Sequence, residues 1–231
     1  MIFDAHTHLI GGITQNIEIM NRLGIVKAVL LPDSSSRDYV RESNEVIKVA
    51  SLYSSVFYPF CIVDPKDEHA VENLKKFMEN GFKGLKLHPL VQGVAIHDAL
   101  YDKIIGNLKK SMPVLIHTGT PVYSMPFQFL ELAKRHPNVT FIMGHSGLDY
   151  WYDAIRAAKR ADNIILDTTG IRFPKVIEYM CKELGPERIV YGSDLPFLSA
   201  DIELYKIQLL NLSTDDRNKI LYENIYSILE K

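Results

Sequence analysis

The chain has 231 residues, a formal net charge of −2, 47% hydrophobic residues and 23% charged residues. This balance lacks the basic excess that binding to nucleic acid or to an acidic membrane surface requires. No stretch approaches the roughly 18 apolar residues of a membrane span, and the N-terminus lacks the basic and apolar regions of a secretory signal. We therefore expect one cytoplasmic domain over residues 1–231 that binds neither nucleic acid nor membrane.

Eight short runs rich in β-branched and other apolar residues recur at intervals that fit one βα unit each. In chain order they are Met1–His6, Ile25–Leu31, Val56–Val63, Gly84–His88, Pro113–His117, Val139–His145, Ile164–Thr168 and Arg188–Asp194. Near-continuous apolar runs of this length are typical of parallel strands that are buried on both faces. The runs therefore predict eight parallel strands.

The segments between these runs carry apolar residues at helical spacing. One such stripe lies between Asp67 and Gly81, another is bounded by Pro174 and Gly185, and Ser213 begins a capping pattern. Eight strands that alternate with helices predict an α/β fold, a (β/α)₈ barrel. The alternative is an open doubly wound sheet. That fold usually has about five or six strands, and its nucleotide-binding form needs a glycine-rich loop after the first strand, which is missing here.

Polar residues cluster where the predicted strands end. In chain order they are His6, His8, Lys86, His88, His117, His145, Asp167 and Asp194, which include five of the eight histidines. The C-terminal ends of barrel strands meet at one mouth, where active sites lie. His6 and His8 are two residues apart, so on a strand both point to one face. Two imidazoles and a carboxylate such as Asp194 suit Zn²⁺ or a similar divalent ion.

Three of these residues have two interpretations each. Lys86 is either a solvated or salt-bridged strand-end lysine or a part of the site. His88 precedes Pro89 and either binds substrate or orients a neighbour. Asp167 either caps the turn that follows it or binds substrate.

Five motifs in the chain resemble the amidohydrolase-2 branch of the metal-dependent amidohydrolase superfamily, which includes aminocarboxymuconate semialdehyde decarboxylase. They are Asp4–Leu9, Gly84–Pro89, Val114–Gly119, Gly144–Gly147 and Tyr191–Pro196. They occur in the order typical of that family and cover essentially the whole chain. The resemblance implies a distorted (β/α)₈ TIM barrel with a metal at its mouth.

The resemblance also implies roles for the strand-end residues. The metal ligands would be His6, His8, His117 and Asp194. His145 would act as an acid or base beside a single ion, or it would bind a second ion. In branches with two metals, a lysine of the fourth strand is carbamylated and bridges the ions, and Lys86 lies on that strand. We expect one Zn²⁺ ion, with a binuclear site that uses Lys86 and His145 as the alternative.

The function we expect first is metal-dependent hydrolysis of an amide, lactone or other C–N or C–O bond in a small molecule. A bound Zn²⁺ ion lowers the pKa of water to about 7. Asp194 would accept the proton of that water, and His145 would stabilise the developing oxyanion. The candidates for holding the substrate are Lys86, His88, Arg172 and Tyr123.

Two other functions remain open. A non-oxidative decarboxylase needs the same metal ligands, and a catalytically inactive barrel would serve as a binding protein. The connections between strands and helices are short compared with those of many relatives. Specificity elements are therefore either absent or supplied by a second subunit of a homo-oligomer.

Overall fold

A computed structural model describes residues 1–109 and 111–230 of the chain. Within them, eight parallel strands form one sheet in the order β1 to β8. The strands are β1 Ile2–His8, β2 Ile25–Leu31, β3 Phe57–Ile62, β4 Gly84–Leu87, β5 Val114–His117, β6 Phe141–Gly144, β7 Ile164–Asp167 and β8 Ile189–Val190. The helices are α1 Thr14–Leu23, α2 Tyr39–Leu52, α3 Ala70–Glu79, α4 Pro89–Gln92, α5 Ala99–Ile105, α6 Pro126–Arg135, α7 Trp151–Ala158, α8 Pro174–Leu184, α9 Ala200–Gln208, α10 Thr214–Asn218 and α11 Asn224–Leu229.

The last strand closes the barrel irregularly. Strand β8 spans only Ile189–Val190, much less than the predicted run. The chain beyond it still bonds to β1, since Ala5 N donates to Tyr191 O at 2.8 Å and His8 N donates to Leu195 O at 2.6 Å. These bonds satisfy backbone groups that a regular ladder would otherwise pair. The result is a nearly closed, distorted (β/α)₈ barrel, which confirms the predicted fold.

Alternate residues of the strands fill the inside of the barrel. The interior cluster consists of Phe3, Ala5, Val29, Leu31, Tyr58, Phe60, Leu115, Ile142, Ile165 and Val190, together with Ile225, Ile228 and Leu229 of α11. The period of two follows from strand geometry, so one face of each strand points inward. Helix α11 packs against the starting ends of the strands and covers the end of the barrel opposite the mouth.

A larger apolar cluster lies between the outer faces of the strands and the surrounding helices. Helices on the outside of a barrel bury one apolar stripe against the strands, as the predicted stripes require. Among residues 1–109 and 111–230, no helix is both long enough and apolar enough to cross a membrane.

An irregularity in β1 turns its histidines toward the mouth. Phe3 and Ala5 point into the barrel, and strict alternation would place His6 and His8 on the other face. Between Asp4 and Thr7 the register of β1 against β2 shifts, because β1 holds one residue more than β2 in this interval. Such an extra residue re-aims the side chains that follow it, so both histidines reach the end of the barrel where the other strand-end residues lie.

Candidate metal centre

Three of the predicted ligands form one buried cluster. The rings of His6 and His8 lie 5.4 Å apart. Oδ1 of Asp194 lies 3.5 Å from Nε2 of His6 and 3.4 Å from Nε2 of His8. One ligand atom from each residue lies within 4.8 Å of the other two, and all three side chains are buried. The structure therefore brings His6, His8 and Asp194 together as the sequence predicted.

Hydrogen bonds behind the rings fix which nitrogen of each histidine faces this cluster. Nδ1 of His8 lies 3.0 Å from the carbonyl of Pro32, which can only accept. Nδ1 of His6 lies 2.7 Å from Oδ2 of Asp167. Both Nδ1 atoms therefore carry the proton, and both Nε2 atoms present a lone pair to the cluster.

Asp167 is held in place by several donors at the end of β7. Its Oδ1 accepts hydrogen bonds from the backbone N of Thr169 at 2.9 Å and from its hydroxyl at 2.5 Å. Its Oδ2 also accepts from the backbone N of His145 at 3.3 Å. The side chain therefore caps the following turn, as one of the two interpretations expects, and it also orients His6, a role that the sequence did not predict.

The charge states of the cluster suit a divalent metal ion. Burial lowers the pKa of His6 and of His8, which keeps both imidazoles neutral. Burial alone would raise the pKa of Asp194, but its interactions with the adjacent His6 and His8 outweigh this effect and hold that pKa below its usual range. Two neutral imidazoles and an ionised carboxylate form a donor set that fits Zn²⁺, Mn²⁺ or a similar ion.

Three further histidines lie beside this cluster. The ring of His88 stacks on that of His117 at 3.9 Å, and His117 meets His145 edge-on at 4.6 Å. Burial lowers the pKa of His88 to about 3 and also depresses the pKa of His117 and of His145. His117 adjoins the three close ligands without being one of them, so its place as a fourth ligand stays a prediction.

Two of the site residues adopt a backbone conformation that disfavours most side chains. His145 has a φ of 63° and Asp194 has a φ of 58°. Residues other than glycine cost of order 1–3 kcal/mol in this left-handed region, and such residues concentrate at functional sites. A tight turn follows β6, and Ser146 and Leu148 within it also have positive φ values.

Lys86 is buried inside the barrel, on the same face of β4 as Gly84. Its Nζ lies 3.0 Å from Nε2 of His6, the atom that a metal ion would bind. Burial lowers the pKa of this amine to about 8. The amine and a metal ion therefore compete for the same lone pair, and carbamylation of Lys86 remains a prediction.

A cavity of about 240 Å³ opens onto this cluster, and we call it the mouth cavity. Its lining includes His8, Lys86, His88, His117, His145 and Asp194, together with Asp33, Ser34, Ser35, Val91 and Phe197. The sequence reasoning missed the second group. The strand-end rule could have found Asp33, Ser34 and Ser35, because these polar residues follow the buried strand β2 after a single proline. Phe197, which packs edge-on against His8 at 5.3 Å, gave no such signal.

The structure does not bring Arg172 and Tyr123 to the mouth cavity. The side chain of Arg172 is exposed and lies 3.4 Å from Asp149, at a separate small hollow. Tyr123 is half-buried in the loop before α6, where its carbonyl accepts a hydrogen bond from Ile96 N. Loop position after a strand does not determine side-chain direction, and neither residue supports a substrate-binding role in this cavity.

Three solved structures share the fold over nearly the whole chain. A 2,6-dihydroxybenzoate decarboxylase from Rhizobium is 17% identical, with a TM-score of 0.76, and the match covers 99% of this chain and 98% of that one. A 5-carboxyvanillate decarboxylase from Novosphingobium aromaticivorans, complexed with manganese, is 18% identical with a TM-score of 0.76 and coverages of 94% and 80%. A candidate amidohydrolase from Staphylococcus aureus is 16% identical with a TM-score of 0.79 and coverages of 100% and 99%.

At these identities the likeness establishes the fold alone. Among curated proteins, no sequence matches the chain. The family model described as amidohydrolase matches residues 33–230. This range contains strands β3 to β8 and leaves out β1 and β2. The predicted resemblance is therefore confirmed, and the chain belongs to the amidohydrolase family, in its amidohydrolase-2 branch.

Proposed function

We propose that the protein is a metal-dependent, non-oxidative decarboxylase of a small carboxylated aromatic or enol compound. The observation that carries this proposal is the buried cluster of His6, His8 and Asp194 at the floor of the mouth cavity. The fold neighbours support decarboxylation over hydrolysis, since the two with a named reaction are decarboxylases.

The donor set fits a divalent ion held by His6, His8 and Asp194, with His117 as the proposed fourth ligand. When bound, such an ion supplies a Lewis acid that draws electron density from an oxygen of the substrate. We propose one ion per chain. Zn²⁺ is the ion expected from the imidazole-rich donors, and Mn²⁺ is supported by the manganese bound in a fold neighbour.

The residues around the cluster supply the remaining requirements of the reaction. Decarboxylation replaces a carbon–carboxylate bond with a carbon–hydrogen bond, so a proton must reach the substrate carbon as CO₂ leaves. We propose that the ring of His145 relays that proton: it takes one up from solvent on one nitrogen as it releases one to the substrate carbon from the other. His145 lines the cavity, and its Nδ1 has no hydrogen-bond partner among the described residues. In its protonated form, Lys86 would hold the anionic carboxylate, and Phe197 would provide an apolar wall for a ring.

Hydrolysis of an amide or lactone is the second candidate. The position of Asp194 favours it, because Oδ1 touches both imidazoles and the residue also lines the cavity. A carboxylate in this position can accept a proton from a water molecule. Both reactions use the same residues, so product analysis must separate them.

The test starts from purified protein that is stripped of metal and reloaded with Mn²⁺ or Zn²⁺. It is incubated with 2-hydroxybenzoate, 2,6-dihydroxybenzoate and a panel of lactones and amides. Metal-dependent CO₂ release from a carboxylated compound is the expected result, and Asp194→Ala should abolish it. Cleavage of a lactone or amide without CO₂ release would favour hydrolysis. Absence of both stoichiometric metal and turnover would favour the inactive barrel.

Assembly and location also remain proposals. We propose that the protein is cytoplasmic and that it forms a homo-oligomer, because its short connections leave few specificity elements over the mouth. Light scattering of the purified protein tests the second point directly.

A further inference from the structure

A second cavity, of about 510 Å³, adjoins the mouth cavity. Ser34, Ser35 and Val91 line both cavities, so the two cavities share this part of their walls. We call the second one the basic cavity, because Arg37 and Lys66 line it. A molecule that reaches from the metal centre past Ser34 would meet these two side chains.

The two cations of the basic cavity are available to a ligand. Among the described residues, neither Arg37 nor Lys66 forms an ion pair with a carboxylate. Asp64 is the one acidic residue in the described lining, and its Oδ1 accepts a hydrogen bond from the backbone N of Lys66 at 3.0 Å. The lining thus carries a net charge of about plus one.

A buried hydroxyl marks the junction of the two cavities. Ser34 is 9% exposed, and its Oγ has no hydrogen-bond partner among the described residues. The neighbouring hydroxyls each form a hydrogen bond within the loop: Ser35 Oγ donates to Asp33 at 2.7 Å, and Ser36 Oγ accepts from the backbone N of Asp38 at 3.2 Å. A buried hydroxyl without a partner is costly, and a polar ligand group would satisfy it.

We infer that the basic cavity binds a second carboxylate of the substrate, while the first carboxylate lies at the metal centre. The inference rests on the proposed decarboxylase function and narrows its substrate class to dicarboxylates. Arg37 offers the planar fork that pairs with a carboxylate, and Lys66 adds a point charge. One net positive charge matches a singly charged carboxylate better than a doubly charged phosphate.

The test compares two ligands that differ by one carboxylate. The full chain, loaded with Mn²⁺, is titrated by calorimetry with 2-hydroxybenzoate and with 4-hydroxybenzene-1,3-dicarboxylate. We expect the dicarboxylate to bind about tenfold more tightly, which is the size of effect that charged hydrogen bonds give. In the double variant Arg37→Gln, Lys66→Gln the ratio of the two affinities should fall close to one.

A matched control removes two positive charges elsewhere. Lys75→Gln, Arg160→Gln changes residues that line neither cavity, and the ratio should stay at its wild-type value. A wild-type protein without the preference, or a preference that survives in the Arg37 and Lys66 variant, would overturn the inference. Release of CO₂ is measured separately. If the protein releases CO₂ but does not prefer the dicarboxylate, the proposed function is supported and the inference about the basic cavity is wrong. If the protein prefers the dicarboxylate through Arg37 and Lys66 but releases no CO₂, the inference about the cavity is supported and the proposed function is wrong.

Discussion

Nδ1 of His6 lies 2.7 Å from Oδ2 of Asp167, and both side chains are completely buried. The carboxylate holds the proton on Nδ1, so Nε2 presents its lone pair to His8 and Asp194. Carboxylates behind ligating histidines fix the tautomer and the ring orientation, and their loss typically weakens metal affinity by about 10- to 100-fold. Asp167 therefore acts on the proposed metal through His6.

Asp167→Asn should weaken the binding of Mn²⁺ or Zn²⁺ by about tenfold, because the amide keeps the shape of the side chain but loses its charge. Competition with a metal indicator measures the affinity. Asp153→Asn is the control, since Asp153 pairs with Arg156 on the surface of α7. An affinity equal to that of the wild type would show that Asp167 only caps its turn.

Lys86→Met should distinguish one metal ion from two. Nζ of Lys86 contacts the lone pair of His6, so its removal should leave one ion per chain and raise the affinity by a few-fold. A bridging carbamylated lysine would instead be indispensable for a second ion. Elemental analysis of the reloaded variant gives the count, with the exposed Lys83→Met as the control. The single-ion site would be contradicted if the wild-type protein binds two ions per chain and the Lys86→Met variant binds one or none.

The parts of the site that follow a regular rule could be predicted from the sequence. The strand ends of a barrel converge, and this rule was enough to predict that His6, His8 and Asp194 lie together. The two-residue spacing alone gave a shared face, but it did not show that an irregularity in β1 turns that face toward the mouth. That shift depends on pairing with β2, which is a tertiary property.

Long side chains and loops were harder to predict. Arg172 was a candidate for holding the substrate, yet its side chain turns to Asp149 on the surface. The burial of Ser34 and the backbone strain at His145 and Asp194 depend on how loops pack, and sequence patterns do not report that packing. The fold was therefore easier to predict than the lining of its cavity.

The metal-free protein should lose stability as the pH falls below about 6.5. The pKa of His88 is lowered from 6.5 to about 3 in the folded state, and burial also lowers the pKa values of His6, His8, His117 and His145. The unfolded state then binds more protons than the folded state in this range, so the free energy of unfolding falls as the pH falls. Asp4, whose pKa is raised to about 7, and Glu203, whose pKa is also raised by burial, act in the opposite direction but are two groups against five.

Urea denaturation between pH 7.5 and 5 measures this dependence. His88→Asn removes one of the histidines whose pKa is lowered in the folded state. In this variant the slope of the unfolding free energy against pH should therefore be smaller, by up to about one proton. Equal slopes in the wild type and the variant would show that His88 is protonated in the folded protein at the same pH as in the unfolded chain.

Gly84 leaves room for the ring of Phe60 inside the barrel. A Cβ atom at position 84 would collide with three atoms of that ring. Because both residues lie in the packed interior, Gly84→Ala should lower the free energy of unfolding by about 1–3 kcal/mol. Phe60→Leu shortens the opposing side chain, so the alanine should cost less in that background. Urea denaturation of the wild type, both single variants and the double variant measures the coupling between the two sites. Strictly additive costs would mean that the strand shifts to admit the methyl group and that the ring of Phe60 does not require glycine at position 84.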